Sequence, residues 1–445
     1  MLNDGTGKRP WVYVAKSKGT FSKLHRSSGV VLMAFYFIVP WLMMGGYPVA
    51  RLDLAARRAY ILGNVFSAMD TQFLLLVLLI SGFMLLLFTS LFGRAWCGYA
   101  CPQTVFLEEL IRPIEKWIEG NRGARRKLDQ SPWTPTKLRK KVLKWAIFAV
   151  LSVLISMGFV SWFVDPVALW SGELRWGAYL TVGAIAGFAF MDLAWFREQF
   201  CNYLCPYARL QGVLADEHSL LVGYDYQRGE PRKPKGRRKK GEPTGGDCVS
   251  CNKCVNVCPQ GIDIRDGYQL ECITCGHCID ACTSVMSKFD KPSLVRYSTE
   301  AALAGKPTKV ARLRPILYGI VLTGLFVVLG AMLATKSTID ASVTRQAGPL
   351  FTMLDDGRTQ NTFQANVLNN GLEPQTFHID AVGIEGLEVI TPIRDLEIPP
   401  GEARMVPVLL ILEPDEIPGT TTHIEFVIST DDEEVRRAGS FRAGG

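Results

Sequence analysis

Five apolar runs, one block of eight regularly spaced cysteines and a tail of short alternating segments predict a chain in three parts. These are a membrane α-helical bundle of five transmembrane helices, a small α+β insert wrapped around the cysteine block, and a C-terminal immunoglobulin-like β-sandwich. At 445 residues the chain has room for several domains. A hydrophobic content of 48% beside only 20% charge indicates that the apolar residues are concentrated in stretches.

The net charge of +7 hides an asymmetry. Residues 336–445 carry 8 Lys/Arg against 18 Asp/Glu, which leaves 41 against 24 for everything before them. Basic and acidic parts therefore belong on different sides of a barrier. Nucleic acid is excluded as the partner of the basic part, because its charge brackets apolar segments and does not decorate one domain.

Residues 1–28 hold six Lys/Arg and no long apolar run, so they do not read as a cleavable signal peptide. Gly29 to Gly46 is almost wholly apolar and is predicted as the first transmembrane helix, with Tyr47 as interfacial anchor. Four further spans are predicted at about Thr71–Phe92, Val142–Val164, Ala178–Phe196 and Pro315–Ala334. The loops set the orientation. Segment 93–140 has ten Lys/Arg and 197–314 nineteen, whereas 48–69 has three and 165–176 one. With five spans the N-terminus and the cysteine block are then predicted inside, and the C-terminus outside.

The domain plan is a helical region over 29–230, a basic linker over 231–246, a cysteine domain over 247–290, a linker over 291–314, the fifth helix over 315–334 and the sandwich over 340–445. The cysteine domain carries Cys248, Cys251, Cys254 and Cys258 in the spacing C-x2-C-x2-C-x3-C, followed by Pro259. Cys272, Cys275, Cys278 and Cys282 repeat that spacing. This is the bacterial ferredoxin pattern for two 4Fe-4S clusters, in which the fourth cysteine of each run ligates the other cluster. One ligand set is therefore Cys248, Cys251, Cys254 and Cys282, and the other Cys272, Cys275, Cys278 and Cys258. Zinc favours paired C-x2-C knuckles around a spacer and leaves the third cysteine of each run unexplained. A disulfide staple needs an oxidising compartment, against the predicted orientation. Gly261 and Gly276 allow close bending of the backbone, Thr283 stands where a second proline would be usual, and His277 reads as a polar neighbour and not a ligand.

A weak internal repeat marks the inner ends of spans two and four. Cys97-Gly-Tyr-Ala-Cys101-Pro and Cys201-Asn-Tyr-Leu-Cys205-Pro both read C-x-Y-x-C-P. If each helix continues, its two cysteines share one face, about 5–6 Å apart and too far for a relaxed disulfide. Two such pairs could present four sulfurs to Cu(I), hold another iron-sulfur cluster, act as a dithiol relay, or simply pack helix ends. Seven Lys/Arg within Arg232–Lys240 suit contact with anionic lipid. Asp192 reads as a solvated interfacial acid, and Met33, Met43 and Met44 as packing. In the tail, alternating segments separated by Asn-Asn-Gly, Pro-Pro-Gly and Pro-Gly turns predict the sandwich, with His378 and His423 as ordinary strand residues.

In combination, the spans, the two C-x-Y-x-C-P motifs, the two-cluster insert and the acidic sandwich resemble the cytochrome c oxidase accessory protein family CcoG, also called FixG or RdxA, over nearly the whole chain. The resemblance, and not the spacing, supplies copper. It implies electron transfer that reduces Cu(II) to Cu(I) for assembly of a cbb-type haem-copper oxidase, with Cys97, Cys101, Cys201 and Cys205 as the copper-handling set. It also implies a bacterial inner-membrane protein whose insert is cytoplasmic. Its periplasmic sandwich would dock oxidase subunits or a copper carrier. The electron donor is not named by the sequence. Quinol-oxidising membrane polyferredoxins share the spans and cysteines but usually lack the sandwich; a non-enzymatic assembly scaffold is a third reading.

Overall fold

The structure, a computed structural model, describes residues 11–54, 58–62, 64–66, 71–232, 245–335, 339–371, 373–417, 419–431 and 433–443. Most of the predicted basic linker and Pro418 of the predicted Pro-Gly turn lie outside them. The chain forms two units. One takes Met1–Trp41 with Gln72–Val327, and the other Leu42–Thr71 with Val328–Gly445.

Four helices among the described residues are long and apolar enough to cross a membrane: Gln72–Phe92, Pro135–Val160 and Trp176–Phe196 in the first unit, and Leu313–Ala334, which runs from the first unit into the second. Their outward faces carry exposed apolar chains such as Leu78 and Ile320, a surface that only lipid covers without cost. The predicted first span is redrawn. Its helix runs Thr20–Ile38 and a short 3-10 turn follows at Val39–Trp41, so it starts nine residues before Gly29 and carries Lys23, His25 and Arg26. The early start follows from the insert: Asp280 accepts from the backbone N–H of Phe21 (3.2 Å) and Ser22 (2.7 Å), satisfying donors that a helix leaves free at its N-terminus.

Helix Pro135–Val160 begins as its sequence dictates, with Thr134 accepting from Lys137 N and Pro135 in the first turn. It packs on Trp176–Met191 through Ser156, whose hydroxyl donates to Val182 O at 2.7 Å. Gly158 gives room to the Phe37 ring, which a Cβ there would meet at 2.7 Å. At the helix's basic end Lys141 and Lys144 each lie 2.8 Å from Glu119. Glu115 is held at 3.0 Å by both Arg197 and Arg125.

The cysteine insert is closed by strands Leu221–Tyr224 and Val295–Ser298, an antiparallel pair on either side of it in sequence. Val222, Tyr224, Leu294 and Val295 pack with Cys248, Cys254, Cys272 and Ile279, so its core reaches beyond 247–290.

In the second unit two antiparallel sheets face each other. One has the order Glu388–Ile390, Ala403–Leu412, Thr359–Asn369, Ile339–Arg345, with Thr352–Met353 on the edge of Thr359–Asn369; the other runs Leu396–Ile398, Gln375–Val382, Thr421–Ser429, Glu434–Arg442. Alternate residues point inward, which buries Phe363, Phe377, Val408, Leu410, Phe426 and Phe441 between the sheets. Residues 42–46, expected as the end of the first span, and the loop expected from residue 48 on join this unit instead. Strands Ala50–Asp53, Arg58–Ile61 and Asn64–Phe66 pair in order, Tyr47 Oη donates to Pro400 O at 2.8 Å, and Val65 packs on Gly401. His378 lies 3.4 Å from Asp395 at the surface, and Met43 and Met44 are exposed and not packed.

Burial alone would raise the Glu115 carboxyl, but Arg197, Lys144 and Arg125 outweigh it and hold it below the usual carboxylate range. Glu115→Leu leaves Arg197, 1% exposed, without its counter-charge and is expected to destabilise this unit by about 3–5 kcal/mol, read as a lower thermal midpoint in detergent. A depressed carboxyl contributes stability above its unfolded pKa and loses it as pH falls through the folded one. The gap between wild type and variant should therefore shrink on acidification below the carboxylate range.

Candidate metal centres

Each cysteine run is shaped by the same two backbone choices. Ser250 and Asn252 flank Cys251 with φ of 51° and 56°, and Thr274 and Gly276 flank Cys275 with 57° and 76°. These left-handed turns fold the chain back on itself before the helices Lys253–Asn256 and His277–Met286 begin. Gly276 is further required by space, since a Cβ there would meet Phe21 at 2.9 Å.

Two cavities of similar size result. One is lined by Cys248, Cys251, Cys254 and Cys282; the other by Cys258, Cys272, Cys275 and Cys278, with Cys254 on the wall between them. All twelve cysteines are free thiols. The Cys258 sulfur receives backbone N–H groups from Gln260, Gly261 and Ile262, and that of Cys275 one from His277. Burial pushes Cys272 up to about 11 and Cys254 up to about 12. Buried sulfurs in apolar cavities with inward N–H donors suit a group that brings its own positive charge, and iron-sulfur clusters meet that demand. Cys251 is exposed, so the first cavity lies next to the surface.

The two C-x-Y-x-C-P motifs adopt one conformation, and it corrects the continuous-helix expectation. Cys97 lies in the short helix Ala95–Tyr99 and Cys201 in the π-helical turn Phe200–Leu204. Cys101 (φ −65°, ψ 126°) and Cys205 (φ −71°, ψ 109°) are extended, each just before a proline that opens the next helix. Proline excludes the helical conformation from the residue before it and favours a helix's first position, so the second cysteine of each motif is swung off the helix face. Two more π-helical stretches, Leu107–Ile111 and Asp192–Phe196, adjoin the motifs.

All four of these cysteines come together. Each of the six pairs among Cys97, Cys101, Cys201 and Cys205 is close enough to interact electrostatically. Cys97 Sγ donates to Gln211 Oε1 at 3.1 Å, and Arg94, 4% exposed, reaches the same oxygen at 3.3 Å. Burial pushes the Cys97 thiol up to about 11 even though Arg94 opposes it. Among the described residues no three His, Cys, Asp or Glu side chains are set to hold a single metal ion.

This site abuts the second cavity. Cys97 packs on Ile273 and Cys275, a Cβ on Gly98 would lie 3.1 Å from Cys275 Cα and collide with the Ile273 carbonyl, and Tyr99 Oη donates to Cys275 O at 3.1 Å. The sequence reading missed Arg94, Gly98, Tyr99 and Gln211. Gly98 and Tyr99 stand inside the motif and Arg94 three residues before it, but nothing in the motif says that it touches a loop 176 residues on. His277 is half-buried with its ring 5.0 Å from that of His25. Asp192 is half-buried with Oδ1 unpartnered among the described residues, and is not simply solvated.

Comparison with known proteins agrees with this construction. Residues 196–300 match a 4Fe-4S dicluster domain, residues 74–125 a 4Fe-4S binding domain, and residues 329–443 the Ig-like fold at the C-terminus of FixG. Protein RdxB of Cereibacter sphaeroides is 37% identical, covering 84% of this chain and 82% of its own length. Protein RdxA of the same organism is 35% identical over 80% and 79%. The nitrogen fixation protein FixG of Rhizobium meliloti is 34% identical over 92% and 85%. With this identity over most of both chains, the chain belongs to the FixG/RdxA family and is an iron-sulfur electron-transfer protein of the membrane.

Proposed function

We propose that this protein moves electrons from the cytoplasmic side of a bacterial inner membrane to the four-cysteine site, where they reduce Cu(II) to Cu(I) for assembly of a cbb-type cytochrome c oxidase. In this reading Cys248, Cys251, Cys254 and Cys282 hold one 4Fe-4S cluster and Cys258, Cys272, Cys275 and Cys278 the other. When bound, the clusters supply one-electron carriers. Each electron that arrives at Cys97, Cys101, Cys201 and Cys205 converts one Cu(II), the substrate, to Cu(I), which thiolates favour. The observation that carries the reading is the backbone contact of Gly98 with Cys275, which leaves no intervening layer between the second cavity and the four-cysteine site.

Sidedness is part of the same proposal. The loops on the insert's side are rich in Lys/Arg. Helix Thr20–Ile38 would be the fifth crossing, since its first turn is bonded to the insert while the chain after Trp41 packs on the sandwich. The acidic sandwich then faces the periplasm as a surface for oxidase subunits or a copper carrier. A second reading of the four-cysteine site, a third iron-sulfur cluster, is favoured by the 4Fe-4S match over 74–125, in which Cys97 and Cys101 are the only cysteines.

Four-cysteine chemistry is tested on anaerobically reconstituted protein, charged with dithionite and freed of excess reductant. Added Cu(II) should reoxidise the clusters and appear as chelated Cu(I); clusters that stay reduced would sink the copper reading. Cys97→Ser with Cys201→Ser should abolish copper reduction and leave the insert's paramagnetic signal intact, and iron at three clusters per wild-type chain falling to two would decide for the second reading. Cys251→Ser should lower iron by about half with the protein still in the membrane, and unchanged iron would refute the ligand assignment. Gly98→Ala should keep full iron but slow copper reoxidation several-fold, because the added methyl pushes Cys275 away.

A further inference from the structure

An open cleft lies beside the second cysteine loop, and none of the four membrane-side cysteines lines it. One wall is His25, 2% exposed, whose Nδ1 is held by Glu109 Oε1 at 3.2 Å. A carboxylate accepts only, so Nδ1 carries the proton and Nε2 is left as a bare acceptor. Nε2 is buried and has no partner among the described residues, although a buried polar atom ordinarily has one. Next to it, at 5.0 Å between rings, is His277, which also lines the cleft and stands in the chain between Cys275 and Cys278. A group bonded to His25 Nε2 is therefore one side chain away from the cysteine loop.

The rim of the cleft is cationic. Lys16, Arg26 and Lys116 are exposed there, while the deeper Arg112 is paired with Glu108 and Glu198, and Arg125 with Glu115. Trp117, 78% exposed, offers a flat ring at the edge.

We infer that this cleft is the electron-entry site and that it takes a reduced flavin mononucleotide. Its occupant must carry an anion for the lysines and arginines, a plane for Trp117, and a proton that leaves as electrons leave singly. A reduced flavin has all three. A nicotinamide gives up its electrons as a hydride pair, which a one-electron centre cannot accept. A hydroquinone has no anion for the basic rim. The anionic reduced flavin loses two electrons in single steps, one to each iron-sulfur centre, and its ring N–H proton passes to His25 Nε2, where Glu109 balances the charge. Oxidised flavin leaves. This rests on the reading of the eight insert cysteines as cluster ligands, and not on copper.

The test uses the full chain in detergent. Oxidised flavin mononucleotide should bind saturably, read by quenching of its fluorescence, and riboflavin, which lacks the phosphate, at least about tenfold more weakly. Arg26→Glu with Lys116→Glu should weaken the nucleotide to the riboflavin level. In stopped flow, reduced flavin mononucleotide should bleach the clusters, and His25→Gln should slow that bleaching by about a hundredfold, the scale of a lost proton acceptor. The same variant should keep wild-type bleaching by dithionite, which needs no cleft. Binding that does not saturate, or that ignores the charge reversal, overturns the proposal. So does a short-chain ubiquinol that bleaches the clusters faster than the reduced flavin and depends on His25. Failure of dithionite-charged protein to reduce Cu(II) would remove the copper reading and leave this one standing.

Discussion

The constraint on which the rest of the molecule depends is a backbone contact. Gly98, between the cysteines of the first membrane-side motif, is pressed against the peptide of Cys275 so closely that no side chain fits between them. Tyr99 and Tyr297 fasten the same junction by donating to the carbonyls of Cys275 and Thr274. Two groups of sulfurs separated by many residues in sequence are thereby brought into packing contact.

Holding the two motifs together is the task of a buried ion network. Glu115 follows Cys101 by fourteen residues and Arg197 precedes Cys201 by four, and the pair joins the two halves of the four-cysteine site at 3.0 Å. Arg197 is kept in the left-handed region at φ 56°, and its guanidinium is covered by the ring of Trp11 at 4.9 Å. Charges this deeply buried are a poor source of net stability, but breaking one is costly, so they specify one arrangement over others. The same logic draws Lys141 and Lys144 inward from the basic end of their helix.

The repeated C-x-Y-x-C-P motif then acquires a conformational meaning. In each copy the proline ends one helical turn and starts the next helix, and the cysteine before it is forced into an extended conformation. A single local rule, applied twice, produces four converging sulfurs that a continuous helix would have arrayed along one face.

Much of this was written in the chain. The C-x2-C-x2-C-x3-C runs specified iron-sulfur ligation because that spacing is imposed by the cofactor, and apolar length marked the four long spans because the thickness of a bilayer is fixed. Strand alternation announced the sandwich because each inward residue of a two-sheet core must be apolar. What sequence could not determine was everything that depends on partners distant along the chain. The first helix begins at Thr20 because Asp280 caps it, the segment after Trp41 belongs with the sandwich because Tyr47 finds Pro400, and the cleft at His25 exists because Glu109 and His277 meet there. Local pattern carries local geometry and cofactor chemistry. Contact between residues hundreds of positions apart is decided by packing and buried charge, and these act only once the chain has folded.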